Sequence, residues 1–255
     1  MLAKAFAGIL PPLTFEEALE VTSIHSIAGS LTEVLITNPQ VRAPHHTASY
    51  VSLVGGGTVP KPGEVTLAHK GVLFMDEFPE FDKRVINALR QPLEDGVVTI
   101  SRAKGSAEFP SQFILIAALN PCPCGYLGSA KCRCTMHEIS RYKQKISGPI
   151  MDRIDMWIEV GQVAHEKLLS TPVETGNQPG KAGETENAVK SVQKARAQQV
   201  SRGKANAQMH NKDIATHAQL SQGAEQILNL SAKKQDLSPR AYHRVIKLAR
   251  TIADL

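Results

Sequence analysis

Aromatic residues are scarce in this 255-residue chain, at 5%, and there is a single tryptophan, Trp157. No apolar run approaches membrane-spanning length. The longest, "FILIAAL" at 113–119, is only as long as a buried strand, which excludes a hydrophobic transmembrane helix. The N-terminal "MLAKAFAGILPP" lacks the charged start and extended apolar core of a signal peptide, so it reads as a short helix over 1–10 ended by Pro11-Pro12. No internal repeat is present. The phosphate-loop pattern G-x-x-x-x-G-K-[ST] is also missing, although "LVGGGTVPKPGE" is rich in glycine. Without such a loop the backbone N–H groups and lysine that cradle a nucleotide's phosphates are missing, and this chain is expected to bind ATP weakly or not at all.

The residues present give a core-forming chain with 42% apolar content and a formal net charge of +5. That charge mildly favours an anionic partner, nucleic acid or nucleotide. "TFEEALEVTSIHSIAG" predicts a helix with Thr14 as its cap, Glu17 completing a capping box and Gly29 as its stop. Residues 40–70 show no helix or strand period and read as an ordered insertion or long loop. "GVLFMD" (71–76) is a buried strand, followed by one helix over "FDKRVINALRQPLEDG" that Gly96 stops. "VVTISRAKGSAEF" is a hairpin with Gly105 in its turn. "FILIAALN" and "RIDMWIEV" are two further strands. Residues 170–184 are a Pro/Gly/Thr linker. Beyond it the chain is polar and helical, with Tyr242, Val245, Ile246, Ala249, Ile252 and Ala253 predicted on one face of a helix over 238–253. The expected fold class is α/β: a domain over 1–165, a linker over 166–184 and a small all-α domain over 185–255.

The chemistry concentrates where the first buried strand ends. Asp76 can hold a magnesium ion and Glu77 can polarise an attacking water, because parallel strands deliver such residues to the sheet's carboxyl edge. The alternative for the pair is a helix cap with a first-turn acid. Asn120, ending the next strand, can hydrogen-bond a water or a terminal phosphate, or it is a turn residue before Pro121. Arg153 can reach a transferring phosphoryl group, or it pairs with Asp152 or Asp155. Arg240 sits in the first turn of a helix with Ser238 as cap and Pro239 as first residue. A cation there opposes the helix dipole and implies an anion nearby. Cys122, Cys124, Cys132 and Cys134 fall within thirteen residues and suit tetrahedral zinc, with His137 a substitute ligand. Reduced thiols or two disulfides are the alternatives. Cysteine clustering of this kind places the protein in the cytoplasm by default. His45 and His46 are read as packing of the insertion.

Taken together, the acid pair, the asparagine, an arginine before the last strand and an arginine in a helical lid resemble AAA+ ATPases. The wording "RAPHHTASYVSLVGGGTVPKPGEVTLAHKGVLFMDEFPEF", "ALRQPLEDG", "AALNPCPCGY", "SGPIMDRIDMWIEV" and "LSPRAYHRVIKLARTIADL" resembles, more narrowly, the bacterial magnesium-chelatase-like AAA+ proteins of the YifB/ComM group. The resemblance implies a P-loop-type parallel sheet without its first strand and phosphate loop, followed by a helical lid. It implies that Asp76 and Glu77 are Walker B acids, Asn120 sensor 1, Arg153 the arginine finger and Arg240 sensor 2. Residues 38–70 then contain the helix-2 insertion and 97–110 a hairpin that faces the pore of a hexameric ring. Arg102 and Lys104 near its tip would meet a DNA backbone, or form a solvated turn. Cofactors so implied are ATP and Mg2+, with structural Zn2+ from the cysteines. The partners so implied are further copies of the chain and DNA, with no membrane. In the family a helix beginning Met-Leu-Ala follows the phosphate loop at once, so this chain is expected to start one residue after that loop and to end inside the lid. A chain so cut is expected to be destabilised or to aggregate. Two rival readings are a chelatase motor that inserts magnesium into a porphyrin, and a zinc-stapled binding module that does not hydrolyse ATP.

Overall fold

The computed structural model describes residues 2–57, 60–102, 105–161 and 182–255. It divides into two compact units, Met1–Arg153 and Ile154–Leu255. The first is α/β and the second is helical, as the sequence predicts.

The first unit opens with helices α1 (Leu2–Ala7) and α2 (Phe15–Ala28). The Thr14 side chain accepts from Glu17 N and the Glu17 side chain from Thr14 N, forming the predicted capping box, and Gly29 closes the helix at φ 72°. Residues 40–70 are more ordered than the sequence suggests. They hold strand β1 (Val41–Arg42), helix α3 (Tyr50–Val54), a ribbon of β2 (Gly55–Gly56) with β3 (Lys61–Pro62), and helix α4 (Glu64–Leu67). These elements are too short to show a period. Arg42 fixes the segment by donating twice to Glu64, at 2.6 and 2.7 Å.

Strand β4 (Val72–Met75) is the predicted "VLFM" run and lies at the centre of a parallel sheet in the order β1-β4-β7, β7 being Ile114–Ala117. β1 approaches so closely that a Cβ on Gly71 would lie 2.1 Å from Gln40 O, which requires glycine there. Leu73, Met75, Phe78, Ile86, Leu89 and Ile150 are fully or almost fully buried beside β4. Each such side chain contributes about 1.5–3 kcal/mol by leaving water. The predicted helix over 81–96 is two helices, α5 (Lys83–Ala88) and α6 (Arg90–Asp95), joined at Leu89. Pro92 explains the break, since it has no N–H and its ring crowds the carbonyl of Ala88. The hairpin is present as β5 (Val97–Arg102) and β6 (Gly105–Pro110). Helices α7 (Met136–Lys143) and α8 (Gly148–Met151) complete the unit.

The predicted strand "RIDMWIEV" is not a strand: residues 154–160 form no regular structure, and Trp157, Ile158 and Val160 are exposed. A strand needs a neighbour to take its N–H and C=O groups, and no sheet of the described residues includes this segment. Most of the predicted linker over 166–184 lies outside the described residues. In the second unit come α9 (Ala182–Ser201), α10 (Asn211–His217), α11 (Gln222–Gln235) and α12 (Pro239–Asp254). Ser238 caps α12 through Ala241 N, with Pro239 in its first turn. The buried face of α12 is not the predicted one: Val245, Ala249, Ile252 and Ala253 are exposed, while Tyr242 and Ile246 pack with Met209, Ile214 and Ala218. The reason is Asp254. Its buried carboxylate takes Asn206, Arg202 and Arg250 and turns the 242–246–250–254 stripe inward.

Two buried histidines give the first unit a pH dependence. His69 Nδ1 accepts from Gln112 N at 3.0 Å, and its Nε2 lies 3.1 Å from Glu20, off the line of a good hydrogen bond. Burial lowers the pKa of His69, against the raising effect of Glu20, and burial also lowers that of His25. The unfolded chain then takes up protons near pH ~6.5 that the folded chain refuses until lower pH. Their stability contribution is full above that pH and is lost as pH falls through the depressed folded values, by at most about 1.4 kcal/mol per pH unit for His69. Thermal melts are expected to fall from pH 7.5 to 5.5, less so in His69→Gln. Equal acid sensitivity in the variant would remove His69 as a cause.

Candidate functional site

Asp76 and Glu77 leave β4 at its carboxyl end, and both are exposed. The register Met75↔Ala117 brings the end of β7 to the same edge, locked by Ala118 N donating to Met75 O and Phe78 N to Ala118 O, each at 2.9 Å. The acid pair and Asn120 therefore emerge from adjacent strands at the carboxyl edge of one parallel sheet.

Glu77 has a left-handed backbone, φ 51° and ψ 42°. This conformation is uncommon for a residue with a side chain and costs of order 1–3 kcal/mol. It breaks the strand sharply, and Glu77 N donates to Asp76 Oδ1 at 2.9 Å. The Glu77 carboxylate meets His46: Nδ1 lies 2.8 Å from Oε2. The His46 ring stacks on His45 at 4.2 Å and meets Phe81 edge-on at 6.5 Å. Sequence reading assigned both histidines to packing of the insertion; one of them holds the acid. The only sequence signal was their position a few residues beyond what became β1, the strand beside β4.

Asn120 is exposed, and its backbone N–H reaches the Tyr142 hydroxyl. Burial raises the pKa of Tyr142, whose ring anchors α7 under this loop. Directly after Asn120 the four cysteines converge. Their sulfurs all lie within 4.8 Å of one another, with Cys122–Cys124 at 3.4 Å, Cys124–Cys132 at 3.7 Å and Cys122–Cys132 at 3.9 Å. A tetrahedron with Zn–S near 2.3 Å has edges of about 3.8 Å, so the set fits zinc. All four are free thiols, so the disulfide alternative is not formed, and His137 does not join the cluster. The N–H groups of Tyr126 and Arg133 pull the Cys124 thiol down to about 6. At Cys134 the Cys124 N–H also pulls downward, but the Cys124 sulfur, desolvation and Cys122 push the thiol up to about 12. Four thiolates so close cannot all carry charge without a cation among them.

Arg153 is not paired with Asp152 or Asp155. Its guanidinium is bound to Glu94 of α6 and donates to Pro149 O at 2.5 Å, with the side chain 13% exposed. Arg240 lies in the first turn of α12, within the second unit. Arg102 ends β5, while its side chain and Lys104 lie outside the described residues.

An α/β unit with parallel strands ending in an acid pair and an asparagine, joined to an all-helical unit, has the layout of an AAA+ fold with its lid. The chain belongs to the magnesium chelatase subunit ChlI family: residues 1–168 match the model of that subunit and 183–255 that of its C-terminal part. Over all of its length it is 44% identical to competence protein ComM of Haemophilus influenzae and 40% identical to YifB of Escherichia coli K12, covering 49% of each. A further relative is the magnesium-chelatase 67 kDa subunit of Chlorobaculum tepidum, 30% identical across 47% of this chain and 17% of that protein. The chain thus spans about half the length of the first two relatives. Among the described residues no helix is long and apolar enough to cross a membrane.

Proposed function

We propose that this chain is the motor half of an ATP-hydrolysing protein that acts on DNA. The observation that carries the reading is the parallel β4–β7 register, which puts Asp76, Glu77 and Asn120 at one sheet edge. In this reading Asp76 holds Mg2+, which neutralises phosphate charge when bound with ATP. Glu77 accepts the proton of the attacking water. Asn120 orients that water or the terminal phosphate. Arg153 serves the active site of a neighbouring copy in a hexameric ring, and Arg240 contacts phosphate from the lid. Arg102 and Lys104 touch the nucleic acid backbone. The cysteines hold a structural Zn2+ that fixes the loop after Asn120. DNA is favoured over a porphyrin because the chain's formal net charge of +5 suits a polyanionic partner.

The test is a chimera in which this chain replaces the matching half of the Haemophilus influenzae relative. Mg-ATP turnover that rises with added DNA supports the reading. Turnover indifferent to DNA removes the DNA half of it, and no turnover removes both.

The Glu94 contact makes a separate prediction. Arg153 must leave Glu94 to serve a neighbour, and a partly exposed pair of this kind is worth about 0–1 kcal/mol. Glu94→Gln in the chimera is therefore expected to raise turnover by up to about fivefold. Arg153→Ala is expected to lower it about 10³-fold or more. An unchanged or slower Glu94→Gln rate would show that Glu94 does not restrain Arg153.

A further inference from the structure

The helical unit contains a cavity of about 560 Å³ between the start of α10 and the N-terminal half of α12. Its wall is cationic. Arg240, Arg244 and Lys247 come from α12, and a spacing of four and then three residues puts them on one helix face. Lys212 comes from α10, His210 and His243 also line the cavity, and among the described residues no carboxylate lines it. Like charges stacked along one helix face repel, and those near its N-terminus also meet the positive end of the helix dipole.

The other end of α12 shows how this fold answers cations when it has the means. Arg250 donates to Asp254 Oδ1 at 3.0 and 2.6 Å, and Arg202 lies 2.5 Å from Oδ2. At Arg244 and Lys247 this answer is weaker. Arg244 Nε and Nη1 are shielded from solvent without a hydrogen bond, and Asp155 forms only a long ion pair with Nε, at 3.7 Å. Lys247 donates to Ala207 O at 3.1 Å, a neutral acceptor. Burial holds the pKa of Lys247 below its ordinary value, against the opposing pull of Asp155 and Asp213.

We propose that this cavity is a phosphate-binding site, in which Arg244, Lys247 and Lys212 take the oxygens of a phosphate group beside Arg240. Two Arg244 N–H groups lack a hydrogen-bond acceptor, and once the side chain turns toward the cavity its guanidinium fork matches phosphate oxygens better than a lone water does. A volume of 560 Å³ accommodates more than one phosphate in a row. The phosphate comes either from a free oligophosphate, as in a nucleotide, or from a nucleic acid backbone. The site extends the lid's chemistry beyond Arg240, and it does not depend on hydrolysis at Glu77.

The experiment is direct binding to the full 255-residue chain at low salt. Inorganic tripolyphosphate is followed by calorimetry and a labelled single-stranded oligonucleotide by fluorescence anisotropy. Tripolyphosphate is expected to bind, and the double variant Arg244→Gln, Lys247→Gln to weaken it at least about tenfold. The control Lys233→Gln, Lys234→Gln removes the same charge from the last turn of α11 and is expected to change binding less than about twofold. Arg244→Lys keeps the charge and the fold but loses the fork, and is expected to give a partial loss. Oligonucleotide binding displaced by tripolyphosphate identifies the backbone as the source. Tripolyphosphate binding without it identifies a free phosphate compound. No binding of tripolyphosphate by the wild-type chain overturns the proposal, as does equal weakening by the α11 control. Because the readout is binding, failure of the Glu77 reading would leave this result untouched.

Discussion

Glu77→Gln in the chimera is expected to lower Mg-ATP turnover by about 10²–10⁴-fold, the usual contribution of a positioned general base. The substitution keeps the size and hydrogen-bonding shape of the side chain while removing its capacity to accept a proton. Nucleotide affinity is expected to stay within about threefold, because on this reading Asp76, not Glu77, holds the metal. The geometry around Glu77 sharpens the test. Its backbone is strained into the left-handed region, and His46 holds its carboxylate at 2.8 Å. His46→Ala releases that anchor and is expected to slow turnover about fivefold to tenfold, through Glu77 alone. The double variant should then be no slower than Glu77→Gln, a non-additive cycle that marks two residues acting as one. Turnover within threefold of wild type in Glu77→Gln would end the assignment of Glu77 as base. Additive losses in the double variant would separate His46 from it.

Legibility in the sequence followed how local the cause was. The cap of α2 is written in Thr14 and Glu17, and the cap of α12 in Ser238 and Pro239. Each is a short-range hydrogen-bond pattern, and each is present as read. Strand β4 was legible because burial on both faces leaves an unbroken apolar run. The proximity of Asp76–Glu77 to Asn120 was legible too, since parallel strands carry their ends to one edge.

The misreadings share a different cause, which is that a distant partner decides the outcome. "RIDMWIEV" has strand composition, yet a strand exists only through a neighbour, and no described sheet includes it. The apolar stripe of α12 was displaced because one buried carboxylate, Asp254, outranked several apolar side chains in setting which face turns inward. Residues 40–70 looked irregular because each of their elements is at most five residues long, below the length at which periodicity can be seen. His46 is the functional counterpart of these cases. Nothing in "RAPHHT" distinguishes one histidine from the other. His46 is singled out only when β1 lies alongside β4 and brings it to Glu77.

The second large effect is expected at the cysteines. The chain is expected to purify with one zinc ion, and Cys132→Ser to abolish it, with removal by chelator melting the loop between Asn120 and α7. The argument begins with how little else holds that loop. Tyr126 and Leu127 within it are exposed, and it is tied at one end by Asn120 N–H to Tyr142 and at the other by the Thr135–Glu138 capping box of α7. Of its side chains, Cys122 alone is fully buried. Without a metal, four sulfurs within 4.8 Å must share protons, since the pull on Cys124 and the push on Cys134 prevent them from ionising together. A zinc ion turns that conflict into about 10–16 kcal/mol of binding free energy at neutral pH, as in small structural zinc sites. The loop that carries Asn120 would draw its order from that term. Chelation is therefore expected to cost ATP turnover in the chimera through Asn120, although no cysteine touches substrate, and added zinc is expected to restore it. A chain that carries no zinc and takes up none at micromolar free metal would overturn the zinc assignment. Zinc that is bound and can be removed without loss of turnover would separate the cysteine cluster from the placement of Asn120.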